Sequence, residues 1–441
     1  MNSVLCLSAL VLQLQASATN LEWAGKFWAE SRVEERDEVA QEWQETQPEF
    51  ELVFAALERG RVYSAEAPRG YLLRKRVDSA GVLHPYLILI PADYTPERKW
   101  PVRFQLHGGM GAPTWDPQKA DWADGWNRAS GSLMVFPAGW VDSMWWHASQ
   151  VENFEAIQRE LRATWNVDED RVVAVGNSDG GAALYFLGMR TPDRYASYAG
   201  HVAPPDRLVR ADFGPDGQMH IENLRAQRFH LGFGEQDRLV PIKYLRRYME
   251  LFEQVGADLD WYVLEDRGHN LNLSDELEGR FLAFIRESRR DPLPEELSWS
   301  TEDASRYARR SWIRIDELEG KLKRTDVDKS KLLPRWGTPI QLRGPTTPRV
   351  PFGTVEVKRD GNRVLVTSSH VLGFTLLLSP VEFDFAHPIQ VVVNGTTVRD
   401  ELAVASGETL LHWAARDDDR RRLFAAEWRI QTRKTEDVKD R

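Results

Sequence analysis

Between residues 84 and 287, short apolar runs alternate with segments of helical periodicity. The apolar runs are as short as buried strands: YLILI, VRFQL, LMVF, VVAV, SYAGHV, FHLGFG and WYVL. Helical patterns occur between several of them, as in 151–165 and 241–255, and a final helix is predicted over roughly 274–288. This alternation predicts an α/β fold in which a mostly parallel sheet carries helices on both faces.

The strongest chemical signal follows the run VVAV. Gly176-Asn177-Ser178-Asp179-Gly180 comes directly after this run and opens the helix-like segment GAALYFLGMR. The pattern G-x-S-x-G between a strand and a helix marks a strained turn that lifts a serine hydroxyl above the sheet. The helix N-terminus behind the turn offers N–H groups and a positive dipole to a developing oxyanion. Ser178 is therefore the predicted nucleophile.

A serine hydroxyl is a weak nucleophile until a base removes its proton, and the base needs a carboxylate to orient it. His269 follows the run WYVL, and Asp237 follows the run FHLGFG. Loops beyond the carboxyl ends of parallel strands meet at one edge of the sheet, so both side chains are expected beside Ser178. Three other acids compete with Asp237 for the orienting role: Glu235, Asp260 and Asp266.

A second glycine-rich turn follows the run VRFQL, in the sequence HGGMG that begins at residue 107. Glycines there let backbone N–H groups approach a substrate oxygen closely. We predict that the oxyanion is bound by the N–H of Asp179 together with one from Gly108, Gly109 or Met110. The alternative is an ordinary turn between a strand and a helix.

These motifs resemble those of the α/β-hydrolase superfamily. HGGMG, GNSDGG followed by TPDRYA, GEQDRLVP and GHN are similar to bacterial esterases related to polyhydroxybutyrate depolymerase and feruloyl esterase, and to the catalytic domain of prolyl oligopeptidase-type enzymes. The resemblance covers roughly residues 66–290 and implies that Ser178 is the nucleophile, His269 the base and Asp237 the orienting acid. Such enzymes often carry Met, Asn, Leu or Gln where this chain has Asp179. That carboxylate can repel a negative intermediate or cap the following helix.

Tryptophans are the main clue to the substrate, because six of the seventeen fall between residues 115 and 146. Aromatic rings at the rim of the site can stack on a sugar or an aromatic acyl group, whereas burial in the core explains the same cluster equally well. Candidate substrate-lining residues are Trp115, Trp146, His147 and His201, with Trp146 the first choice. For the two histidines, structural positions are the alternative.

No residue pattern indicates a metal site or a cofactor, and none is expected. The span 203–228 is short and largely polar, which disfavours a lipase-like lid and favours bulky or soluble substrates. The net charge of −10 disfavours a nucleic-acid partner. The lone Cys6 excludes a disulfide framework within the chain. The sequence carries no signal for an oligomeric state.

The N-terminus resembles a secretory signal peptide. Residues 4–13 are apolar and precede Ala16-Ser17-Ala18, a cleavage pattern that predicts a secreted or periplasmic protein. The first residues, MNSV, carry no Lys or Arg, and the alternative is a buried N-terminal segment. No stretch reaches the length of a membrane span.

We divide the chain into a signal peptide (1–18), a helical segment (19–65), a catalytic domain (66–290), a Pro- and charge-rich linker with one strand (291–350) and a β-rich C-terminal domain (351–435). Asp360-Gly361 and Asn394-Gly395 predict hairpins in the last part. We expect the catalytic chemistry not to need this β-rich part. The alternative is that its strands pack against the catalytic part and stabilise it. The charged run 417–422 is expected to be a solvated turn.

Three functions remain open at this point. The first is a secreted serine hydrolase that cleaves carboxylic esters of a small molecule, a glycan or a polymer through an acyl-serine intermediate. The second is an oligopeptidase-type serine peptidase, which the lack of a propeller-length region before residue 66 disfavours. The third is an inactive hydrolase fold that serves as a binding module, which the complete set of Ser178, Asp237 and His269 disfavours.

Overall fold

The computed structural model describes residues 18–110, 131–209, 215–319 and 352–432. Three helices come first: α1 (18–29), α2 (Val33–Glu45) and α3 (Phe50–Arg59). Apart from residue 18, they lie in the segment 19–65 that is predicted to be helical, and α3 ends at Gly60, whose φ of +80° suits a residue without a side chain. Residues 1–17, which hold the predicted signal peptide up to its last residue, lie outside the described residues.

Eight of the described strands form the central sheet. Their bounds are β1 (Gly70–Val77), β2 (Leu83–Ile90), β3 (Trp100–Leu106), β4 (Leu133–Pro137), β5 (Val167–Asn177), β6 (Ser197–His201), β7 (Arg228–Gly234) and β8 (Asp258–Leu264). They lie in the order β1-β2-β4-β3-β5-β6-β7-β8. β2 is antiparallel to both of its neighbours, and every pair from β4 to β8 is parallel. The predicted mostly parallel sheet is confirmed.

Helices cover both faces of this sheet, as predicted. They are α4 (Ala148–Thr164), α5 (Asp179–Arg190), α6 (Ile242–Gln254) and α7 (Asp275–Glu287), with short 3₁₀ helices at Pro192–Arg194, Pro205–Val209 and Ile221–Leu224. Successive residues of a strand point to opposite faces. On β5, Val172 and Ala174 accordingly join the large core with α4, α5 and α6, whereas Val173 and Val175 pack against Phe281 of α7.

The C-terminal region is a pair of antiparallel-rich sheets with a shared core. Its elements are β9 (Glu296–Thr301), β10 (Arg309–Arg310), β11 (Ile313–Leu318), β12 (Gly353–Asp360), β13 (Arg363–Ser369), β14 (Val371–Leu378), β15 (Ile389–Val393), β16 (Thr396–Glu401), α8 (Gly407–Asp417) and β17 (Ala426–Gln431). One sheet has the order β10-β11-β14-β17 and the other β16-β15-β13-β12-β9. Apolar residues of both sheets form one cluster, so the sheets pack face to face.

Two details of this region differ from the sequence-based expectations. β9 lies in the segment predicted as linker, yet it pairs with β12 and is part of the β-rich fold. Both predicted hairpins form, but pairing of Asp360 with Arg363 leaves Gly361 and Asn362 in the first turn, one residue later than expected. The division of the chain into domains stays a proposal.

Five of the six residues of the charged run 417–422 are buried and Arg421 is exposed, so the prediction of a solvated turn is wrong. Asp417, Asp418 and Asp419 are at most 3% exposed, and Arg420 and Arg422 at most 6%. Each acid meets at least one arginine from a remote segment: Arg309 for Asp417, Arg36 and Arg162 for Asp418, and Arg290 for Asp419. Arg422 of the run itself also pairs with Asp417. Arg420 pairs with Glu169 of β5. Opposite charges thus offset the cost of removing the run from water.

We call the cluster of Asp417, Asp418, Asp419 and their arginine partners the joint, because it connects the C-terminal region to the rest of the chain. Leu410, Leu411 and Ala414 of α8 also share an apolar core with α1, α2 and α3. The contacts support the alternative noted above, in which the β-rich region packs against the catalytic part and stabilises it.

Candidate active site

Ser178 occupies a sharp turn between β5 and α5. Its φ of +52° lies in the left-handed region that side chains disfavour, with ψ at −119°. The turn is held by two backbone hydrogen bonds: the Ser178 N–H donates to the His201 carbonyl at 3.1 Å, and the Ala182 N–H donates to the Ser178 carbonyl at 3.0 Å. The strained backbone presents the Ser178 hydroxyl at the carboxyl edge of the sheet.

The two glycines that flank Ser178 in the motif are required by close backbone contacts. A Cβ on Gly176 would lie 2.1 Å from the Gly180 oxygen, and a Cβ on Gly180 would lie 2.2 Å from the Leu106 oxygen. Real Cβ atoms do not approach backbone atoms so closely. The spacing of the motif is therefore set by how tightly the turn packs against itself and against the end of β3.

The structure brings Ser178, His269 and Asp237 together in one hydrogen-bonded chain. His269 Nε2 lies 3.1 Å from Ser178 Oγ, and His269 Nδ1 lies 2.8 Å from Asp237 Oδ2. With Nδ1–H donating to the carboxylate, Nε2 is left to accept the serine proton. The loops after β5, β7 and β8 supply the three residues, as the strand-end argument predicts.

Asp237 is itself held in place by backbone donors. It is 4% exposed, and its Oδ1 accepts the N–H groups of Leu239 at 2.8 Å and Val240 at 3.0 Å. These bonds leave Oδ2 directed at His269. A carboxylate fixed in this way can orient the imidazole and stabilise its protonated form.

The competing acids have other surroundings. Asp260 Oδ2 lies 2.7 Å from His230 Nδ1, and Asp266 is paired with Arg267 in a solvent-exposed contact at 3.6 Å. Glu235 is exposed as well. Among the four acids that the sequence offers, Asp237 is the one placed on His269.

The glycine-rich turn after β3 lies against the nucleophile. A Cβ on Gly108 would be 2.9 Å from Ser178 Cβ, and Gly109 has a φ of +70°. The Met110 N–H instead donates to Asp179 Oδ2 at 3.1 Å. Met110 is therefore excluded as an oxyanion donor in this arrangement, because its N–H is already bound, and Gly108 and Gly109 stay predicted donors beside the N–H of Asp179.

His107 fixes this turn, a role that the sequence argument missed. Its Nε2 accepts the Gly139 N–H at 3.0 Å, and its carbonyl accepts the indole N–H of Trp145 at 3.0 Å. Burial lowers the pKa of His107, so the ring stays neutral and can accept that bond. The position of His107 directly before two glycines was the available signal.

A cavity of about 450 Å³ opens beside Ser178 and His269. Its lining includes the polar side chains of Arg103, His201 and Glu278 and the apolar side chains of Leu273, Phe281 and Leu282. Burial lowers the pKa of His201 to about 4, so it lines the cavity as a neutral ring that lies 3.3 Å from the Tyr262 hydroxyl. Burial also lowers the pKa of Arg103 to about 10, and Arg103 is therefore still a cation at neutral pH.

Trp146 does not line this cavity, and its prediction as the foremost substrate contact is wrong. Its side chain is fully buried in the large core, because α4 and the segment before it pack against the sheet there. His147 is not part of the cavity lining either; it lies just before α4, with its Nδ1 accepting the Met144 N–H at 3.2 Å. Trp115, Trp122 and Trp126 lie outside the described residues. Of the three described tryptophans of this cluster, Trp145 and Trp146 follow the core alternative, and Trp140 is half-buried.

The strand order with an antiparallel β2, the elbow at Ser178 and the Ser–Asp–His order along the chain occur together in one known fold. The chain has the α/β-hydrolase fold. The fold class predicted from the sequence is confirmed.

No protein family matches the sequence, and no curated protein does. Solved structures are similar at low identity. A thermostable esterase has a TM-score of 0.39 at 18% identity, with 50% of this chain and 63% of that chain covered. Thermogutta terrifontis esterase 2 phosphorylated by paraoxon has a TM-score of 0.40 at 19% identity, covering 50% and 94%. A dipeptidyl aminopeptidase IV-like protein of Bacteroides ovatus has a TM-score of 0.41 at 15% identity, with 51% of this chain and 37% of that chain covered.

The described part of the chain shows neither a cluster of metal ligands nor a membrane-spanning helix. In that part of the chain, no group of three or more His, Cys, Asp or Glu side chains is placed to hold a metal ion. Nor does any helix there have the length and apolar character needed to cross a bilayer.

Proposed function

We propose that this protein is a serine hydrolase that cleaves carboxylic esters through an acyl-serine intermediate. One observation carries the proposal: His269 bridges Ser178 Oγ and Asp237 at hydrogen-bond distances, at the mouth of a cavity of about 450 Å³. A nucleophile, a base and an orienting acid in this order are the parts that acyl transfer requires.

In the first half of the reaction, Ser178 Oγ attacks the ester carbonyl while His269 Nε2 takes the hydroxyl proton. The carbonyl oxygen becomes an oxyanion, which the N–H groups of Asp179 and of Gly108 or Gly109 stabilise. His269 then gives its proton to the departing alkoxide, the ester C–O bond breaks, and the acyl group stays on Ser178. In the second half, water attacks the acyl-serine while His269 takes a proton from the water. His269 then returns that proton to Ser178 Oγ, the bond between the acyl group and Oγ breaks, and the carboxylic acid is released.

The test compares wild-type protein with Ser178→Ala on a chromogenic short-chain ester and on an aminoacyl p-nitroanilide. We expect the ester to be the better substrate, and we expect Ser178→Ala to lower its turnover by about 10⁶-fold, the typical cost of losing a triad serine. Ser305→Ala is the matched control, because Ser305 is an exposed serine whose hydroxyl donates a hydrogen bond to Asp303.

Three results would change the proposal. Turnover by Ser178→Ala within tenfold of wild type would refute the nucleophile. Faster cleavage of the anilide than of the ester would favour the oligopeptidase alternative. A wild-type protein that neither cleaves an ester nor reacts with a fluorophosphonate would favour the binding-module alternative.

We also propose that the protein is exported. The support is the apolar run 4–13 followed by Ala16-Ser17-Ala18. N-terminal sequencing of the protein recovered outside the cytoplasm should then begin at Thr19. Recovery of the full chain from the cytoplasm alone would contradict export.

A further inference from the structure

The carboxylate of Asp179 lies next to the predicted oxyanion site. Asp179 follows the nucleophile, and its backbone N–H is one of the predicted oxyanion donors. Its side chain is 18% exposed, and Oδ2 accepts the Met110 N–H at 3.1 Å. The side chain therefore connects the elbow of Ser178 to the glycine-rich turn that carries the second predicted donor.

This contact has a benefit and a cost for the chemistry. The bond to the Met110 N–H fixes the turn of Gly108 and Gly109 against Ser178, and oxyanion donors act best when they are held in place beforehand. A fixed anion at this position, however, repels the negative charge that develops on the substrate oxygen. In a site partly shielded from water, this repulsion is larger than it is at an open surface.

Arg207 supplies the opposite charge. Its Nε lies 3.4 Å from Asp179 Oδ1, and its side chain is 15% exposed. It is carried by the short 3₁₀ helix Pro205–Val209, which follows β6. Because both partners are largely shielded from solvent, the pair is screened less than an exposed ion pair.

We propose that Asp179 and Arg207 are positioning residues for the oxyanion site. The Asp179 carboxylate holds the oxyanion turn through the Met110 N–H, and Arg207 cancels the negative charge that this acceptor brings close to the reaction. The inference rests on the proposed function, since it concerns the same site. It predicts that the acceptor oxygen of residue 179 is needed, whereas its charge is tolerated only while Arg207 is present.

Three variants and one double variant separate the acceptor from the charge. Arg207→Gln leaves the carboxylate without this cation, and Asp179→Asn keeps an acceptor oxygen without the charge. Asp179→Ala removes the acceptor, and Asp179→Asn with Arg207→Gln removes both charges. The readouts are kcat and KM for a p-nitrophenyl ester and the rate of reaction with a fluorophosphonate. In the latter reaction, Ser178 Oγ bonds to phosphorus, His269 takes the serine proton, and the P–F bond breaks to release fluoride.

We expect Arg207→Gln to lower kcat and the fluorophosphonate rate by on the order of tenfold to a hundredfold, with a small change in KM. Asp179→Asn should stay within about threefold of wild type, and the double variant should regain that level. Asp179→Ala should lose about tenfold or more because the turn is no longer held. The matched controls are Arg228→Gln and Asp258→Asn, which remove an exposed pair at 3.1 Å between β7 and β8 and should change neither rate.

Each outcome decides the inference. An unchanged rate for Arg207→Gln, or a double variant as slow as Arg207→Gln, overturns the charge argument. A loss of tenfold or more in Asp179→Asn also overturns it, and this variant serves if Arg207→Gln does not fold. If wild type shows no Ser178-dependent turnover or labelling, the proposed function itself fails. If wild type shows both and the variants do not follow the pattern, only the inference fails.

Discussion

Two networks of polar groups run through this molecule, and they differ in what their groups can do. The chain Asp237–His269–Ser178 lies at the edge of the sheet, and His269 is 31% exposed at the mouth of a cavity. The cluster around Asp417, Asp418 and Asp419 is buried, and each of its acids is paired with arginines. One network contains a base that faces a hydroxyl, and the other contains charges already matched by opposite charges.

The two networks differ physically in whether one of their groups can accept a proton near neutral pH. In the buried cluster, desolvation alone would raise the pKa values of Asp417 and Asp419, but the neighbouring arginines more than compensate and hold both below the ordinary value of 3.8. These acids stay charged near neutral pH. At the sheet edge, His269 Nε2 has the hydroxyl of Ser178 within reach. A dense polar network can therefore be a structural contact as readily as an active site. What distinguishes the active site is a group, His269 Nε2, that can accept a proton from a neighbouring hydroxyl.

The largest effect is expected from removing the joint altogether. A chain truncated after Pro292 loses α8, whose Leu410, Leu411 and Ala414 form one apolar core with α1, α2 and α3. It also loses Asp418 and Asp419, which pair with Arg36, Arg162 and Arg290 of the retained chain. We expect the truncated chain to be insoluble or unfolded, measured as soluble yield and circular dichroism. A folded truncation with activity on a small soluble ester would show that the catalytic part needs no joint, as the first of the two sequence-based alternatives holds.

Next in size is the loss of the orienting acid. Asp237→Asn should lower turnover of the ester by about 10³–10⁴-fold, because an amide holds the imidazole in the wrong tautomer. The folded structure should persist, as measured by circular dichroism. Asp266→Asn is the matched control and should cost little, since Asp266 is exposed and paired with Arg267. The reverse ranking of the two variants would transfer the role to Asp266.

Breaking the joint at one residue should affect stability and not catalysis. Asp418→Asn keeps a residue that tolerates the φ of +52° at this helix end, but it leaves Arg36 and Arg162 buried without their anion. We expect a loss of about 3–5 kcal/mol in the free energy of unfolding, measured with urea, at unchanged kcat. Asp258→Asn, in an exposed pair, should cost less than about 1 kcal/mol. Equal losses in the two variants would refute the claim that the buried cluster contributes more stability than an exposed ion pair.

The smallest effect is expected on the free energy of unfolding at low pH. A carboxylate whose pKa is lowered in the fold contributes stability that is present above its unfolded pKa and is lost as the pH falls below that value. For Asp419, held low by Arg290, the loss begins near the ordinary value of 3.8. Wild type should lose about 1 kcal/mol more than Asp419→Asn between pH 5 and pH 3, measured by urea unfolding. Parallel losses in the two proteins would contradict the assignment.

The same comparison explains what the sequence could predict. The elbow at Ser178 was predictable because strand, glycines and helix are contiguous, and Asp237 and His269 because each follows a recognisable strand. The partners of the charged run could not be predicted, since Arg162 and Asp418 lie 256 residues apart. Without those partners, a run of three acids and three arginines is typical of a solvated surface.

Two further differences have the same origin. Trp146 was expected at the substrate because aromatic rings cluster before α4, and only the packing of that segment against the sheet shows that its ring is buried. Asp179 was expected to repel the intermediate or cap α5, and neither its contact with Met110 nor its pairing with Arg207 is visible in the local sequence. Local patterns predict the elements and the reactive residues, and tertiary contacts decide the surroundings of those residues.

The most direct test of the central claim is peptide mapping by mass spectrometry after reaction of wild-type protein with a fluorophosphonate. The proposed mechanism predicts a single phosphonyl adduct on the peptide that contains Ser178, with loss of fluoride, and no adduct in Ser178→Ala. It also predicts that Asp237→Asn slows formation of this adduct while Asp418→Asn does not. An adduct on another residue, or a folded wild-type protein that does not react, would contradict the assignment of Ser178 as the nucleophile.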